Sequence, residues 1–377
     1  MRIAFYAPLK SPDHPVASGD RTVARALLAA LKRAGHEVDT VCRFRSFDAG
    51  DPDRQARLER VGGRLADRLA ERLHRDGPRP DLWFTYHLYH KAPDWLGPAV
   101  AARLGVPYVV AEASSAPKQS GGRWDRGHRA VAQAIGRADL VLQLNPNDAE
   151  GVRPLLADPG RLSPLPPFLD TRPFREAAAA ADRARMAERH SLDPSVPWLV
   201  TVAMMRHDQK LSSYRCLAKA LAPLLDLPWR LVVAGGGPAE AEVRAAFAPL
   251  ADRVDFLGIL TGDALPALYA ASDLYVWPAV KEAWSMALME AQAAGVAVVA
   301  GRSGGVAAVV ADGETGILVP EGDAAAISLA VRRLLENPEE RRRMGRAAAA
   351  RTLREHDLAA AAKAIDERLR RLVRAAA

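Results

Sequence analysis

The chain alternates between short apolar runs and longer stretches in which apolar residues recur every three or four positions. Residues 2–7 form the first run, and a proline-containing loop over 8–18 leads to a helical pattern that begins near Asp20. Val23, Leu27, Leu28 and Leu31 carry that pattern to a stop at Gly35, and residues 36–41 return as a second run. Strand, helix and strand in this order predict a parallel βαβ unit with a right-handed crossover. The alternation continues with strands expected over 82–87, 107–111 and 139–143 and helices over about 54–76, 92–104 and 125–135. Residues 112–126, rich in Ser, Gly and Pro, read as a loop at the strand ends, where open α/β sheets place their ligands.

A proline-rich stretch over 164–174, followed by an Ala/Arg-rich helix and Pro194 and Pro197, is the natural boundary. Beyond it the pattern restarts, with apolar runs over 198–202, 230–234, 254–257, 273–277 and 296–300. Two doubly wound α/β domains in tandem follow from this. The expected division is 1–170, 171–355 and a terminal helix over 356–377 that returns to the first domain. Asn337 and Pro338 open a helical stretch that runs to the last residue.

At 377 residues and 49% apolar content the chain can bury two cores of ordinary size. The absence of an apolar run of about 18 residues, and of a leader, points to a cytoplasmic protein. Cys42 and Cys216 lack any paired spacing, so neither a disulfide framework nor a thiolate metal site is expected. The net charge of +7 rests mostly on arginine, which suits phosphates or other acidic partners. No nucleic-acid-binding motif accompanies it, so nucleic acid is not expected. Arg57, Arg60, Arg64, Arg68, Arg72 and Arg75 recur along the second helix beside Glu59, Asp67 and Glu71. They read either as a solvated face or as a docking surface for anionic lipid, which would put the protein at the inner face of a membrane.

Chemistry concentrates in residues 281–295. Glu282 and Glu290 bracket a nearly uncharged run that reads as a short buried helix, with Ser285 as its N-cap and Gly295 past its end. A carboxylate on such a helix needs a cation or hydrogen-bond donors, which a structural partner or a ligand can supply. Upstream, Arg206 and Lys210 follow a strand end and offer a planar fork and a point charge, the two complementary ways to hold a pyrophosphate. His87 and His90 lie with Tyr86 and Tyr89 after another strand, as structural histidines or as sugar or acceptor contacts; a metal site would need a third ligand that the sequence does not offer. Asp51 and Asp53 form a D-x-D that reads as a turn.

Glu282, seven intervening residues and Glu290 resemble the E-x7-E signature of retaining glycosyltransferases of the GT-B fold, family 4 type. Matches to that family run in order along nearly the whole chain. Ser18 and Gly19 are similar to its N-terminal loop, residues 35–38 to its G-H-E-V segment and residues 168–174 to its inter-domain connection. Residues 231–238 resemble its G-x-G-P turn, Arg206 and Lys210 its diphosphate-binding pair, and Gly304, Gly305 and residues 312–320 its C-terminal motifs. The resemblance implies two Rossmann-like domains facing across a cleft and a metal-independent, retaining transfer of a hexose-type sugar. The donor would be a UDP- or GDP-linked sugar, and the acceptor hydroxyl would belong to a glycolipid, a polysaccharide or a small metabolite. No cofactor is implied. Arg206, Lys210, Glu282 and His87 would serve catalysis. Gly19, Gly236, Ser285, Met286 and Glu290 would bind the donor with Arg206 and Lys210, Glu290 holding the ribose and Glu282 the sugar. The pattern departs from the family at Ala203, at Ala283 and Ser285, which stand where the family has glycines, and at Glu112, which stands where many members have histidine. Those departures leave a second expectation, a degenerate module that binds nucleotide sugar or glycan without turnover.

Overall fold

The computed structural model describes residues 1–16 and 18–376. The chain divides into two compact units, residues 1–167 with 358–377, and residues 168–357. The first contains β1 (Arg2–Tyr6), α1 (Gly19–Arg33), β2 (Glu37–Cys42), α2 (Pro52–Arg75), β3 (Leu82–Leu88) and α3 (Gly97–Leu104). It continues through β4 (Tyr108–Ala113), α4 (Asp125–Arg137), β5 (Leu140–Gln143), α5 (Ala149–Val152) and β6 (Leu162–Pro164). Its six strands form one parallel sheet in the order β2-β1-β3-β4-β5-β6.

The second unit contains α6 (Arg172–Ala179), α7 (Arg183–His190), β7 (Trp198–Val202), α8 (Gln209–Leu221), β8 (Arg230–Ala234) and α9 (Glu240–Ala246). Then come β9 (Val254–Gly258), α10 (Ala264–Ala271), β10 (Leu274–Trp277), α11 (Met286–Ala293) and β11 (Ala297–Gly301). It ends with α12 (Val306–Val309), β12 (Gly316–Val319), α13 (Ala324–Glu336) and α14 (Pro338–Glu355). Its strands are parallel in the order β12-β11-β10-β7-β8-β9. In both sheets the order reverses at the first strand, between β1 and β3 and between β7 and β10. Open α/β sheets bind ligands beyond the carboxyl ends of their strands at such points. The central strands are buried on both faces, as covered parallel sheets require, and their apolar runs are therefore continuous.

The terminal α15 (Leu358–Ala376) belongs to the first unit. It packs on α1, and Asp366 approaches the Nε2 of the buried His36 at 3.1 Å. Arg368 donates to Ser163 Oγ and to the Pro164 carbonyl, which fixes the short edge strand β6. The helical stretch expected from Asn337 onward is interrupted at His356 and Asp357. Their groups accept from the Leu169 amide and the Thr171 hydroxyl, tying the two crossings of the chain together within the second unit.

The third helix starts at Gly97, five residues after the expected Ala92. Asp94 explains this: its Oδ1 accepts from the Leu96 and Gly97 amides and its Oδ2 from Thr85 and Tyr108. These bonds hold residues 92–96 in a turn, and Gly97 has no room for a Cβ against the same carboxylate. β6 and β12 were not anticipated as strands, being only three and four residues long. The D-x-D of Asp51 and Asp53 is a helix cap, with Asp51 Oδ1 accepting from the Asp53 and Arg54 amides.

Asp273, just before β10, holds the second unit's sheet to its outer helices. Its Oδ2 accepts from Arg183 at 2.8 Å and from the Trp198 amide at 2.9 Å, and its Oδ1 meets Arg341 at 3.2 Å. Arg341 is buried, so removing its carboxylate leaves an uncompensated charge. Asp273→Ala is expected to lower unfolding stability by about 3 kcal/mol in urea titrations; a loss below about 1 kcal/mol would show that solvent replaces the carboxylate.

Candidate functional site

In the second unit the expected residues gather at the carboxyl ends of β7, β8, β10 and β11. The chain leaving β7 crosses the turn after β8 with backbone against backbone. Met205 N donates to Gly236 O at 3.0 Å, and Ala239 N donates to Met205 O at 3.0 Å. Gly235 and Gly237 have φ of 141° and 151°, and a Cβ on them would lie 1.9 Å from Ala203 O and 2.3 Å from Met205 O. Only glycine satisfies both conditions. The crossing accepts the alanine at 203, so the departure there leaves the loop intact.

That loop delivers Arg206 and the start of α8. Asp208 caps α8 through the Lys210 amide, and its other oxygen holds Arg206 Nε at 3.1 Å. From the second residue of the helix, Lys210 Nζ meets Glu282 Oε2 at 2.5 Å. The same oxygen accepts from Trp277 Nε1 at 3.2 Å. The ammonium sits 5.3 Å from the Trp277 ring centroid, within cation–π range. Lys210 and Glu282 are 18% and 16% exposed, so their charges are weakly screened.

Glu282 lies before α11, in a loop of unusual backbone. Ala279, Lys281 and Ser285 have φ of 52°, 49° and 56°. Strain of this kind in non-glycine residues persists only where surrounding contacts impose it. Here Glu282 N donates to Ser303 Oγ, Gly305 N donates to Ala283 O, and Gly304, at φ 48°, has no room for a Cβ against Glu282 O. Ser285 departs from expectation. It precedes α11 with φ 56° and ψ 112°, and its side chain makes no cap hydrogen bond. Met286 is therefore the first helical residue, and the helix start keeps unsatisfied N–H groups. Trp284 is buried while Ala283 is exposed.

Glu290 lies on α11 and accepts from Tyr269 Oη at 3.1 Å. Burial pushes its pKa up to about 7 against the opposing effect of that hydrogen bond. Burial holds the pKa of Tyr275, on β10, well above the ordinary tyrosine value, and the charges of Glu282 and Glu290 add to that. A cavity of about 840 Å³ lies elsewhere in this unit, where α6 and α7 meet α10, and none of these residues lines it.

In the first unit Gly19 opens α1, with Ser18 as its cap. His87, at φ 62° near the end of β3, has Nδ1 3.1 Å from Asp20 Oδ1, and Tyr89 stacks on its ring at 4.9 Å. Burial lowers its pKa, but the charge of Glu112 and the bond to Asp20 outweigh that and leave it raised. Glu112, at φ 59° near the end of β4, has its pKa raised by burial against the pull of His87. His90 behaves oppositely: burial and then Lys91 bring it down to about 4, and its ring meets Trp124 edge-on. The two histidines are thus shifted in opposite directions. Asp20, Tyr269, Trp277 and Ser303 were not singled out from sequence as site residues; each is distant in the chain from the group it serves or follows no spacing rule that links them.

Comparison with known proteins agrees with this architecture. Residues 186–351 match the family model described as glycosyl transferases group 1. The chain is 29% identical over 379 residues to a D-inositol 3-phosphate glycosyltransferase of Pseudarthrobacter chlorophenolicus, covering 92% of this chain and 88% of that one. Among solved structures, sucrose-phosphate synthase from Thermosynechococcus elongatus superposes with a TM-score of 0.74 at 23% identity, covering 99% of both chains. Anabaena HepE in complex with UDP superposes with a TM-score of 0.74 at 18% identity, covering 98% of this chain and 99% of that one. The fold is GT-B, built from two parallel sheets with flanking helices. The family match and these neighbours together support a GT-B glycosyltransferase. Among the described residues no helix is long and apolar enough to cross a membrane.

The raised pKa of Glu290 has a definite sign. Between its unfolded value near 4.5 and its folded value near 7 the unfolded state holds fewer protons, so this residue makes stability fall as pH rises. Glu290→Gln removes that slope. The variant is expected to gain about 1–2 kcal/mol relative to the parent between about pH 5 and pH 7.5 in denaturant unfolding, and a pH-independent difference would show that Glu290 is already ionised when folded.

Proposed function

We propose that the protein is a metal-independent, retaining glycosyltransferase of family 4 type that moves a hexose-type sugar from a UDP- or GDP-linked donor to an acceptor hydroxyl. The observation that carries this reading is the Lys210–Glu282 pair on a strained loop ahead of the α11 N-terminus. Lys210, Arg206 and the free N–H groups of α11 present positive charge to a diphosphate. When the diphosphate takes over Lys210, Glu282 is released to accept from sugar hydroxyls. Glu290 accepts from the ribose, and Gly236 lets the nucleotide approach the backbone. In transfer, the bond between the anomeric carbon and the diphosphate oxygen breaks while the acceptor oxygen bonds to the same face of that carbon. The acceptor proton passes to the departing diphosphate, whose charge Arg206, Lys210 and the helix N-terminus stabilise. The donor is assigned to the second unit and the acceptor to the first. UDP is the favoured nucleotide because HepE, of the same fold, binds it. A nucleotide-sugar donor and two free cysteines suit the cytoplasm.

Titration calorimetry with UDP, GDP and ADP tests the reading. Micromolar binding of UDP is expected, weakened about tenfold or more in each of Arg206→Ala, Lys210→Ala and Glu290→Ala. Absence of binding to any of the three would remove the reading. Binding without turnover over an acceptor screen would favour a module that holds the nucleotide sugar only.

A second reading concerns α2. Its Glu59 and Asp67 are drawn sideways to Arg126 and Arg103, which leaves the exposed Arg57, Arg60, Arg64 and Arg68 less compensated along the helix. This favours a peripheral contact with an anionic membrane. Flotation with phosphatidylglycerol vesicles, reversed at about 0.5 M salt and absent with phosphatidylcholine, is the expected result; flotation with neither lipid would leave the stripe a solvated face.

A further inference from the structure

The first unit carries a polar group that the transfer mechanism above does not use in full. Asp20 follows β1, His87 lies on β3, Glu112 on β4 and Asp148 after β5, so four chemistry-bearing side chains line up along the carboxyl edge of the sheet. The row begins at the point where the strand order reverses, the place where sheets of this kind bind ligands. All four residues are partly exposed. The ring of Tyr89, stacked on His87, gives the row a flat apolar neighbour suited to a sugar-like ring.

The charges in this row do not balance. Three acidic side chains act on His87: Asp20 through the 3.1 Å contact to Nδ1, and Glu112 and Asp148 through their charge. Burial raises the pKa of both Glu112 and Asp148, with Tyr86 within hydrogen-bonding reach of the first and Ser114 and Asn145 of the second. Glu112 Oε2 is sealed from solvent and has no hydrogen-bond partner. The basic residues closest in effect are Lys10, which acts on Asp20, and Arg45, which acts on Tyr89. Acidic groups that outnumber the basic group they share are costly to desolvate, and a ligand that brings a cation recovers part of that free energy on binding.

We propose that this row is an acceptor subsite for a polyol bearing an ammonium group, with Glu112 and Asp148 as the residues that select the charge. The proposal rests on the glycosyltransferase reading for the word acceptor, while the ligand chemistry comes from the row itself. It also separates this chain from its relative in Pseudarthrobacter chlorophenolicus, whose name specifies a phosphorylated inositol. A phosphate entering this row would meet three acidic side chains and one histidine. An ammonium would complete the charge that His87 leaves unmatched, while neighbouring hydroxyls donate to Asp20 and the ring stacks on Tyr89.

The test compares three forms of one ring on the full chain by calorimetry: myo-inositol, an amino-deoxy-myo-inositol and myo-inositol 3-phosphate, each with and without UDP. The expected order is amine, then neutral ring, then phosphate, with amine and phosphate at least about tenfold apart. Glu112→Gln and Asp148→Asn are each expected to weaken the amine about tenfold while leaving UDP affinity unchanged. The parent comparison needs no variant, so a poorly folding substitution does not decide the matter. Tighter binding of the phosphate than of the amine, or amine affinity indifferent to both folded variants, would overturn the proposal. Preference for the amine in a protein that ignores UDP would uphold the subsite and remove the glycosyltransferase reading instead.

Discussion

The second unit's site depends on backbone meeting backbone without side chains between. Where the loop after β7 crosses the turn after β8, Gly235 and Gly237 leave no space for a Cβ, and the crossing is locked by amide-to-carbonyl bonds through Gly236 and Met205. The same device recurs where Gly301 and Gly304 lie against the carbonyls of Pro278 and Glu282. Both crossings lie at the carboxyl edge of one sheet. Between them they fix the two loops that carry Lys210 and Glu282, so that a charge pair spanning 72 residues of sequence forms without a long flexible search. Substituting any of these glycines moves a loop rather than a side chain, and the pair would be lost with it.

Much of this organisation was legible in the sequence because it follows from repeating constraints. Strands buried on both faces must be apolar throughout, and the helices between them must carry one apolar stripe, so the tandem α/β order could be read from residues 2–7 onward. The glycines and the E-x7-E spacing were visible as a family resemblance. What the sequence withheld were contacts between residues that no period relates. Asp94 shortens α3 by binding two amides ahead of it and two side chains from neighbouring strands, an arrangement that exists only after the sheet has formed. Ser285 has the composition of a cap, yet it stands at φ 56° and ψ 112° and its side chain makes no cap hydrogen bond. Tyr269 as the partner of Glu290, and Asp20 as the partner of His87, are likewise products of folding.

The two sheets present opposite chemistry at the same structural position. At the carboxyl edge of the second sheet, Arg206 and Lys210 exceed what their immediate acids can neutralise once a helix N-terminus is counted with them. At the carboxyl edge of the first, acidic side chains outnumber the one histidine they act on. A single fold type has thus been given one edge suited to an anion and another suited to a hydroxyl-rich or cationic molecule, through substitutions confined to the loops and strand ends. The sheets themselves need no alteration, which is why loop chemistry and not fold carries the functional argument.

The two desolvated glutamates show how much the surroundings decide. Glu290 and Glu112 are both raised by burial, and each has a tyrosine hydroxyl within reach. Glu290 lacks a cation among the influences on its titration, so it exchanges its proton close to neutral pH and is poised to gain charge when hydroxyl donors arrive. Glu112 faces His87, and the two titrate as a coupled pair in which the imidazolium favours the carboxylate and the carboxylate favours the imidazolium. A ligand that donates neutral hydrogen bonds can therefore suffice at Glu290. At Glu112 one histidine is already shared among three acidic side chains, and the ligand that changes the balance most is one that brings a cation.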